Sequence, residues 1–271
     1  MHRAESEGVR KLVRVVAVAN QKGGVGKTTT AVNVAACLAQ GGERVLLVDM
    51  DPQGNATSGL GVDQRRVEVG VYDVLVEGTP LPRAYRQTAV PNLSLVPAGP
   101  GLAGAEVELV DRLERENRLV SALAGEVDRF GLVIIDCPPS LGLLTVNALV
   151  AAEAVLIPIQ CEYYALEGVS HLLAAIQRVR QGLNPGLFIL GILLTMFDKR
   201  TNLALQVAES VKRAFGGRVL RSAVPRNVRL SEAPSHGLPI GLYDGRSRCA
   251  EIYADVAKEV LVRARSAAPT G

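Results

Sequence analysis

Residues 21–30 read Gln21-Lys22-Gly23-Gly24-Val25-Gly26-Lys27-Thr28-Thr29-Thr30, and this stretch decides the fold of the chain. The residues before it, Leu12 to Ala19, are mostly apolar and β-branched, which predicts a buried strand. The residues after it, Ala31 to Gln40, are rich in alanine, which predicts a helix. A strand, a glycine-rich turn and a helix in this order form a phosphate-binding loop, because backbone N–H groups and the helix N-terminus both face the phosphates.

The residues of this loop have distinct predicted tasks. Lys27 is predicted to reach the β- and γ-phosphates of a nucleotide, and the Thr28 hydroxyl to ligate Mg²⁺. The rest of the phosphate cradle is predicted to come from Gly23, Gly24, Val25, Gly26 and Thr29. The strict pattern has a glycine where this chain has Gln21, and it leaves the place of Lys22 unspecified. A lysine in a glycine-rich loop is often only a solvated surface charge, so Lys22 is open to both interpretations.

The composition is typical of a packed globular protein. The chain has 271 residues, of which 48% are hydrophobic and 21% charged, and its formal net charge is only +3. Its cysteines lack CxxC spacing, which argues against a zinc or iron–sulfur site within one chain and favours free thiols in a reducing compartment. No apolar run reaches the ~18 residues of a membrane span, and the short polar N-terminus does not resemble a signal peptide. We therefore expect a soluble, cytoplasmic protein.

Strand patterns alternate with helical patterns along the chain. After the first, further strands are predicted at Arg44–Asp49, Leu132–Asp136, Ala154–Gln160, Phe188–Thr195 and Val219–Val224. Glu106 to Phe130 carries apolar residues at roughly helical spacing and predicts an amphipathic surface helix with a break at Gly125. We expect an α/β fold of the P-loop NTPase type, a doubly wound, mostly parallel sheet with helices on both faces. No linker divides the chain, which predicts a single domain over residues 1–271 with disordered ends at about 1–11 and 266–271.

Acidic residues end or follow two of these predicted strands. Asp136 ends an apolar strand and is placed to hold Mg²⁺ through a water, as in other P-loop proteins. Asp49 and Asp51 follow the strand after the loop, close enough to orient the attacking water or the waters around Mg²⁺. A carboxylate at a strand end can instead cap a helix or form a turn. A structural role of this kind is possible for Asp136 and more so for Asp49. If Asp49 is structural, Asp51 is the catalytic acid.

Three motifs together resemble the deviant-Walker ATPases of the ParA/MinD superfamily: Lys22 to Thr29, Asp49 to Asn55, and Ile135 to Ser140. Three later motifs are similar to the chromosomal ParA/Soj branch of that superfamily: Glu162 to Gly168, Thr195 to Asp198, and Pro225 to Ser235. The resemblance extends from Val13 to about Ala264, so it covers nearly the whole chain.

The resemblance implies an ATPase that uses ATP and Mg²⁺ with slow intrinsic turnover. It implies that Lys22 crosses to the nucleotide of a second subunit when two ATP-loaded copies form a sandwich dimer. It assigns catalysis to Lys22, Lys27 and Asp51, with Mg²⁺ on Thr28 and Asp136 behind it. It also places contacts to the adenine side of the nucleotide near Pro225 and Asn227.

The resemblance further implies that the ATP dimer binds double-stranded DNA without sequence preference and associates with the nucleoid. Arg200 and Arg229 match the DNA-contacting arginines of the family, with Lys199, Arg226 and Arg218 as neighbouring candidates. The arginine-rich C-terminal third lacks the aromatic residues expected of single-strand binders, which favours phosphate contacts on duplex DNA. Each of these arginines is also open to interpretation as a solvated surface charge.

A ParB-like partner is implied as well, one that stimulates hydrolysis through a basic segment whose docking site the sequence does not identify. The alternative function is that of a MinD-like membrane-associated positioning ATPase. It needs a C-terminal amphipathic helix with bulky apolar residues, and the end of this chain, Arg263 to Gly271, lacks them. We therefore expect no membrane partner. An iron–sulfur scaffold that shares cysteines such as Cys137 between two chains is a further alternative that spacing alone leaves open.

Overall fold

The computed structural model describes residues 13–163 and 165–266. The predicted disordered ends lie outside these residues, except that Ser266 is the last residue of the final helix. The strands are β1 (Val15–Val18), β2 (Val45–Asp49), β3 (Arg86–Gln87), β4 (Leu93–Val96), β5 (Leu132–Asp136), β6 (Ala154–Gln160) and β7 (Phe188–Thr195). The α-helices are α1 (Lys27–Gln40), α2 (Asn55–Gly59), α3 (Val71–Leu75), α4 (Leu102–Glu108), α5 (Arg118–Leu123), α6 (Leu143–Ala151), α7 (Ala165–Gly182), α8 (Asn202–Phe215), α9 (Val228–Glu232), α10 (Ile240–Tyr243) and α11 (Arg248–Ser266).

The strands form one sheet in the order β3-β4-β2-β5-β1-β6-β7. Neighbouring strands are parallel except for β3, which runs antiparallel to β4. In the register of the sheet, Asp136 at the end of β5 pairs with Val18 of β1 on one side and with Asp49 of β2 on the other. The acidic strand ends therefore lie beside the exit of β1, from which the glycine-rich loop starts.

Helices cover both faces of the sheet, which confirms the predicted doubly wound fold. Successive residues of a strand point to opposite faces, and in β1 Val15 and Ala17 join one hydrophobic core while Val16 and Val18 join the other. The first core is completed by residues of α3 to α8, the second mainly by residues of α1, α10 and α11. Because both faces are buried, the strands consist of continuous apolar runs.

The single helix predicted over Glu106–Phe130 is wrong. Helix α4 ends at Glu108, residues 109–117 form turns, and α5 resumes at Arg118. The side chain of Asn147 in α6 accepts a hydrogen bond from Leu119 N–H at 3.2 Å and donates one to the Arg115 carbonyl at 2.7 Å. These tertiary bonds replace the helical ones, while the predicted break at Gly125 is confirmed by its φ of +78°.

The strand predicted over Val219–Val224 is also wrong. The segment follows β7 through single bridges, Ile192 to Val219 and Phe197 to Pro225, without a continuous ladder. Leu220 and Val224 donate their N–H groups to carbonyls of β7, but Pro225 has no N–H with which to extend the pairing.

Candidate functional site

The glycine-rich loop leaves β1 and turns sharply into α1. Gly24 and Gly26 have φ values of +75° and +86°, a left-handed conformation in which a side chain would be strained. The hydroxyl of Thr195, at the end of β7, donates a hydrogen bond of 2.8 Å to the Val25 carbonyl and fixes the loop. No side chain of the described residues caps the N-terminus of α1. Its first N–H groups are therefore available to an anion, which is the arrangement expected of a phosphate cradle.

Lys27 is buried at the base of this loop. Its Nζ donates a hydrogen bond of 3.0 Å to the carbonyl oxygen of Lys22. Burial lowers the pKa of the Lys27 ammonium, and the nearby carboxylates of Asp136 and Asp51 oppose this shift. An ammonium group held in low-dielectric surroundings is stabilised when an anionic phosphate approaches it.

Asp136 is fully buried and its two carboxylate oxygens have no hydrogen-bond partner among the described residues. Burial raises the pKa of Asp136 well above its usual range, the neighbouring Asp49 raises it further, and the nearby hydroxyl of Thr28 lowers it. A buried carboxylate without a partner is costly unless a cation compensates it. Hard oxygen donors are the ligands that Mg²⁺ prefers. The pair formed by Asp136 and Thr28 therefore fits a divalent cation.

Asp49 and Asp51 differ in what they contact. Asp49 is buried, and one of its oxygens accepts hydrogen bonds from the N–H and the hydroxyl of Thr57, at 2.8 and 2.7 Å. Burial raises the pKa of Asp49 to about 6, and these hydrogen bonds moderate the shift. The carboxylate of Asp51 accepts a hydrogen bond from Gln53 N–H at 3.0 Å and lines the cleft above the loop. Asp49 thus ties β2 to α2, whereas Asp51 faces the cleft.

The cleft consists of two adjoining cavities of about 420 and 360 Å³. The first is lined by the loop, Asp51 and Pro139, which follows Asp136 after β5. The second is lined by Pro225 and Asn227, and both cavities share Gly26, Thr29, Met196 and Leu230. The structure therefore brings the predicted phosphate-side residues and the predicted adenine-side residues into one continuous cleft.

The side chain of Lys22 has different surroundings from that of Lys27. Its half-buried ammonium forms an ion pair with Glu162, in the connection between β6 and α7, and its aliphatic stem lies close to Gly168. The Lys22 N–H donates a hydrogen bond of 3.1 Å to the side chain of Asn20, which in turn donates to the Pro158 carbonyl at 2.7 Å. The loop therefore holds two lysines in different environments, one at the base of the cradle and one against the β6–α7 connection.

Most of the predicted DNA-contacting residues follow β7 and the segment beside it. Lys199, Arg200, Arg226 and Arg229 are exposed, and the bridge between Phe197 and Pro225 brings the two segments that carry them side by side. Arg200 forms an ion pair with Asp198 at 2.7 Å, which lowers the pKa of that carboxyl to about 2. Arg229 forms one with Glu232 at 3.0 Å.

Arg218 is placed away from these residues. It precedes Val219, which pairs with Ile192 in β7, whereas the other arginines lie near Phe197. Five residues of strand span about 17 Å. The Arg218 carbonyl is also held by Arg263 of α11 at 2.9 Å. The structure therefore does not group Arg218 with Arg200 and Arg229.

The C-terminal helix and the cysteines bear on the two alternative functions. The apolar face of α11 is buried in the core, and none of the described helices is long and apolar enough to cross a membrane. Cys137 is fully buried, and the described residues contain no group of three or more His, Cys, Asp or Glu side chains placed to hold a metal ion.

Three contacts in the site region were not predicted from the sequence. Thr195 anchors the loop, Thr57 engages Asp49, and Glu162 pairs with Lys22. Thr195 and Glu162 lie within motifs that carry the family resemblance, and those motifs were the available signal. Thr57 had none, because its contact arises where α2 packs beneath β2.

A parallel sheet whose first strand enters a helix through this glycine-rich loop, beside acidic strand ends, defines a P-loop NTPase. The family described as an AAA domain matches residues 13–189. The sporulation initiation inhibitor protein Soj of Bacillus subtilis is 59% identical over 247 residues, which are 91% of this chain and 98% of that protein. The chromosome partitioning protein ParA of Myxococcus xanthus is 55% identical over 92% of this chain and 88% of its own.

A solved structure supports the same fold. Cobyrinic acid a,c-diamide synthase from Mycobacterium smegmatis, with a bound ATP analogue and magnesium, is 41% identical with a TM-score of 0.83, over 94% of this chain and 97% of that chain. From the curated relatives, the chain belongs to the Soj/ParA family of chromosome-partitioning ATPases.

Proposed function

We propose that one P-loop ATPase domain, residues 1–271, acts as an ATP-dependent DNA-partition switch in the cytoplasm. ATP binding produces a sandwich homodimer, the dimer binds nucleoid DNA without sequence preference, and hydrolysis stimulated by a ParB-like partner releases it. The observation that carries this proposal is the separation of the two loop lysines. Lys27 is buried in its own cradle, whereas Lys22 is half-buried outside it and paired with Glu162.

The proposed division of work at the cleft follows from burial and charge. Lys27 and the N–H groups of the loop bind the phosphates. Thr28 holds Mg²⁺ directly and Asp136 holds it through a water, with Asp51 as a further candidate, also through a water. The metal ion neutralises charge on the phosphates when it is bound. Asp51 orients the attacking water, because it faces the cleft while Asp49 is engaged by Thr57.

Lys22 is proposed to link nucleotide state to dimerisation. Its pairing with Glu162 involves two side chains that are each about one-third exposed, and such a pair contributes only about 0–1 kcal/mol. A γ-phosphate from a second subunit offers a stronger, charge-assisted contact. Exchange of Glu162 for that phosphate would therefore favour the dimer only when both subunits carry ATP.

DNA binding is proposed to depend on the dimer because the charge of one copy is small. A net charge of +3 gives weak attraction, whereas a dimer doubles the surface formed by Arg200 and Arg229. Each neutralised phosphate releases counterions and adds about 0.9 to the slope of log affinity against log salt.

The direct test of this proposal is the oligomeric state with and without nucleotide. Lys22→Ala should still bind ATP but remain monomeric in light scattering with a slowly hydrolysed ATP analogue, whereas the wild type dimerises. Lys258→Ala, at an exposed position of α11, is the matched control and should dimerise normally. Normal dimerisation of Lys22→Ala would overturn the sandwich assignment.

A further inference from the structure

An apolar surface remains exposed at the end of α4 and in the turn that follows it. Val107, Val110 and Leu113 are 76%, 48% and 89% exposed. The Val110 N–H donates to the Val107 carbonyl at 3.2 Å, so the chain continues in a tight turn that keeps these side chains close in sequence and on the surface. Single exposed apolar residues are ordinary, but a cluster edged by polar residues marks an interaction site.

Uncompensated acidic residues surround this surface. Residues 106–116 contain five acids and two arginines. Arg115 is engaged within this segment, because it pairs with Glu116 and donates to the Val110 carbonyl. Arg112 is exposed, so the acids of this stretch still outnumber its arginines. Within the part of the chain that the structure describes, no lysine or arginine lies within ion-pair distance of Glu106, Asp111 or Glu114.

Glu106 connects this surface to the nucleotide cleft. One of its carboxylate oxygens is buried and has no hydrogen-bond partner among the described residues. The same carboxylate packs on Gly142, so closely that a Cβ there would overlap it. Gly142 precedes α6 and ends the short loop from Asp136 that carries Pro139, a residue of the cleft wall. A cation that bound Glu106 would therefore act directly on the loop that follows Asp136.

The negative charge of this surface favours a positively charged binding partner. A second copy in a two-fold dimer would place this acidic surface near itself around the axis, which like charges disfavour. DNA and anionic lipid surfaces are repelled for the same reason. A basic amphipathic segment fits, because its apolar side chains would cover the valines and the leucine while its cations pair with the acids.

We propose that Val107, Val110 and Leu113, with Glu106, Asp111 and Glu114, form the docking surface for a basic amphipathic segment of the partner that stimulates hydrolysis. This inference rests on the proposed function and adds the location of the partner's contact. Docking brings a cation to the half-buried Glu106 carboxylate, and the resulting movement reaches Asp136 through Gly142.

The test uses the full chain and a purified ParB-like protein from the same organism. Partner affinity by biolayer interferometry and ATP turnover are measured for the wild type and two double variants, V107S/L113S and D111K/E114K. All four positions are exposed, so folding is expected to be retained. Both variants should bind the partner at least about tenfold more weakly, and the charge reversal should lose more affinity at low salt than at high salt.

A matched control comes from α11, where Val262 is 63% exposed and lies far along the chain from the proposed surface. Val262→Ser should bind and respond like the wild type, and all variants should keep basal turnover and ATP-dependent dimerisation. Glu106→Gln should lower the maximal stimulation more than the partner affinity, because it retains the shape of the side chain and removes its charge.

Three outcomes would overturn the inference. Wild-type affinity in both double variants would mean that the partner docks elsewhere. Loss of ATP-dependent dimerisation in them would make this a surface between copies of the chain. If the partner does not stimulate the wild-type protein at all, the proposed function fails first and the docking surface falls with it.

Discussion

The phosphate cradle and the arginine surface differ in the contacts that their charged side chains make within the chain. In the cradle, Lys27 and Asp136 are buried, and the Asp136 oxygens lack partners among the described residues. On the arginine surface, Arg200 and Arg229 are largely exposed and each is paired with an acid only two or three residues away. The cradle thus holds a buried carboxylate without a partner among the described residues, whereas the arginines of the surface are paired with nearby acids.

The two regions therefore differ in how much free energy each charged side chain gains when it binds a ligand. A buried carboxylate without a partner gains strongly from a cation, since its alternative is an uncompensated charge in a low dielectric. An exposed arginine that exchanges a nearby acid for a DNA phosphate gains little from each exchange. We therefore expect the loss of one cradle residue to abolish most nucleotide binding. The loss of one arginine should remove only a small part of the DNA-binding free energy, which becomes large only when a dimer doubles the number of arginines.

The largest effect is expected at the cradle, from Asp136→Asn. The amide keeps the shape but removes the negative charge that holds Mg²⁺ through a water, so Mg²⁺-dependent ATP binding should weaken by about 10- to 100-fold in calorimetry. The same variant should be more stable than the wild type without nucleotide, by about 1 kcal/mol or more, because a buried charge is removed. Loss of stability together with unchanged ATP affinity would show that Asp136 is a structural residue.

The stability difference for Asp136→Asn should depend on pH. The pKa of Asp136 is raised in the folded protein, so the folded state holds its proton to higher pH than the unfolded chain, in which an aspartate titrates at about 3.9. Stability from this group is present below that value and is lost as pH rises through the folded pKa. The advantage of the variant in thermal melts should therefore grow from acid toward neutral pH.

An intermediate effect is expected on the arginine surface. Arg229→Ala should weaken DNA binding by the ATP dimer and reduce the salt slope by about 1 for each DNA phosphate that the arginine no longer neutralises. Arg218→Ala is the matched control, because Arg218 lies beside Arg263 and away from Arg229. Fluorescence anisotropy with duplex DNA over a salt series would measure both variants. Equally weakened DNA binding in the two variants would contradict the conclusion that Arg218 lies outside the DNA-binding surface.

The smallest effect is expected from Glu162→Gln, which releases Lys22. Since the ion pair is partly exposed, its removal should favour ATP-dependent dimerisation by only about fivefold or less. Sedimentation over a range of protein concentrations would detect this shift. Weaker dimerisation in Glu162→Gln would mean that Glu162 supports the dimer instead of competing with it.

The central region of the fold was predictable because its signals are local. The loop, β2 and β5 are continuous in sequence, and the register that sets Asp49 beside Asp136 follows from parallel pairing. The same locality predicted Lys27, Thr28 and Asp51 as residues of one cleft. The break of the 106–130 segment was not predictable, because it depends on Asn147, a residue of another helix.

A motif of the family resemblance contains Glu162, but the sequence did not predict that this residue pairs with Lys22. Glu162 stands far from Lys22 in the chain, and only the packing of β6 beside β1 brings them together. The exposure of Val107, Val110 and Leu113 was also hidden, since their spacing resembles that of a buried helical face. Spacing shows that residues share a side, but the tertiary fold decides whether that side is covered.

DNA co-sedimentation in ADP, in ATP and in a slowly hydrolysed analogue tests the central claim most directly, with wild type and Lys22→Ala compared. The cradle should bind nucleotide in both proteins, but only the wild type with ATP or the analogue should sediment with DNA. Equal DNA binding in ADP and in the analogue, or wild-type binding by Lys22→Ala, would contradict the proposal that the arginine surface depends on the ATP dimer.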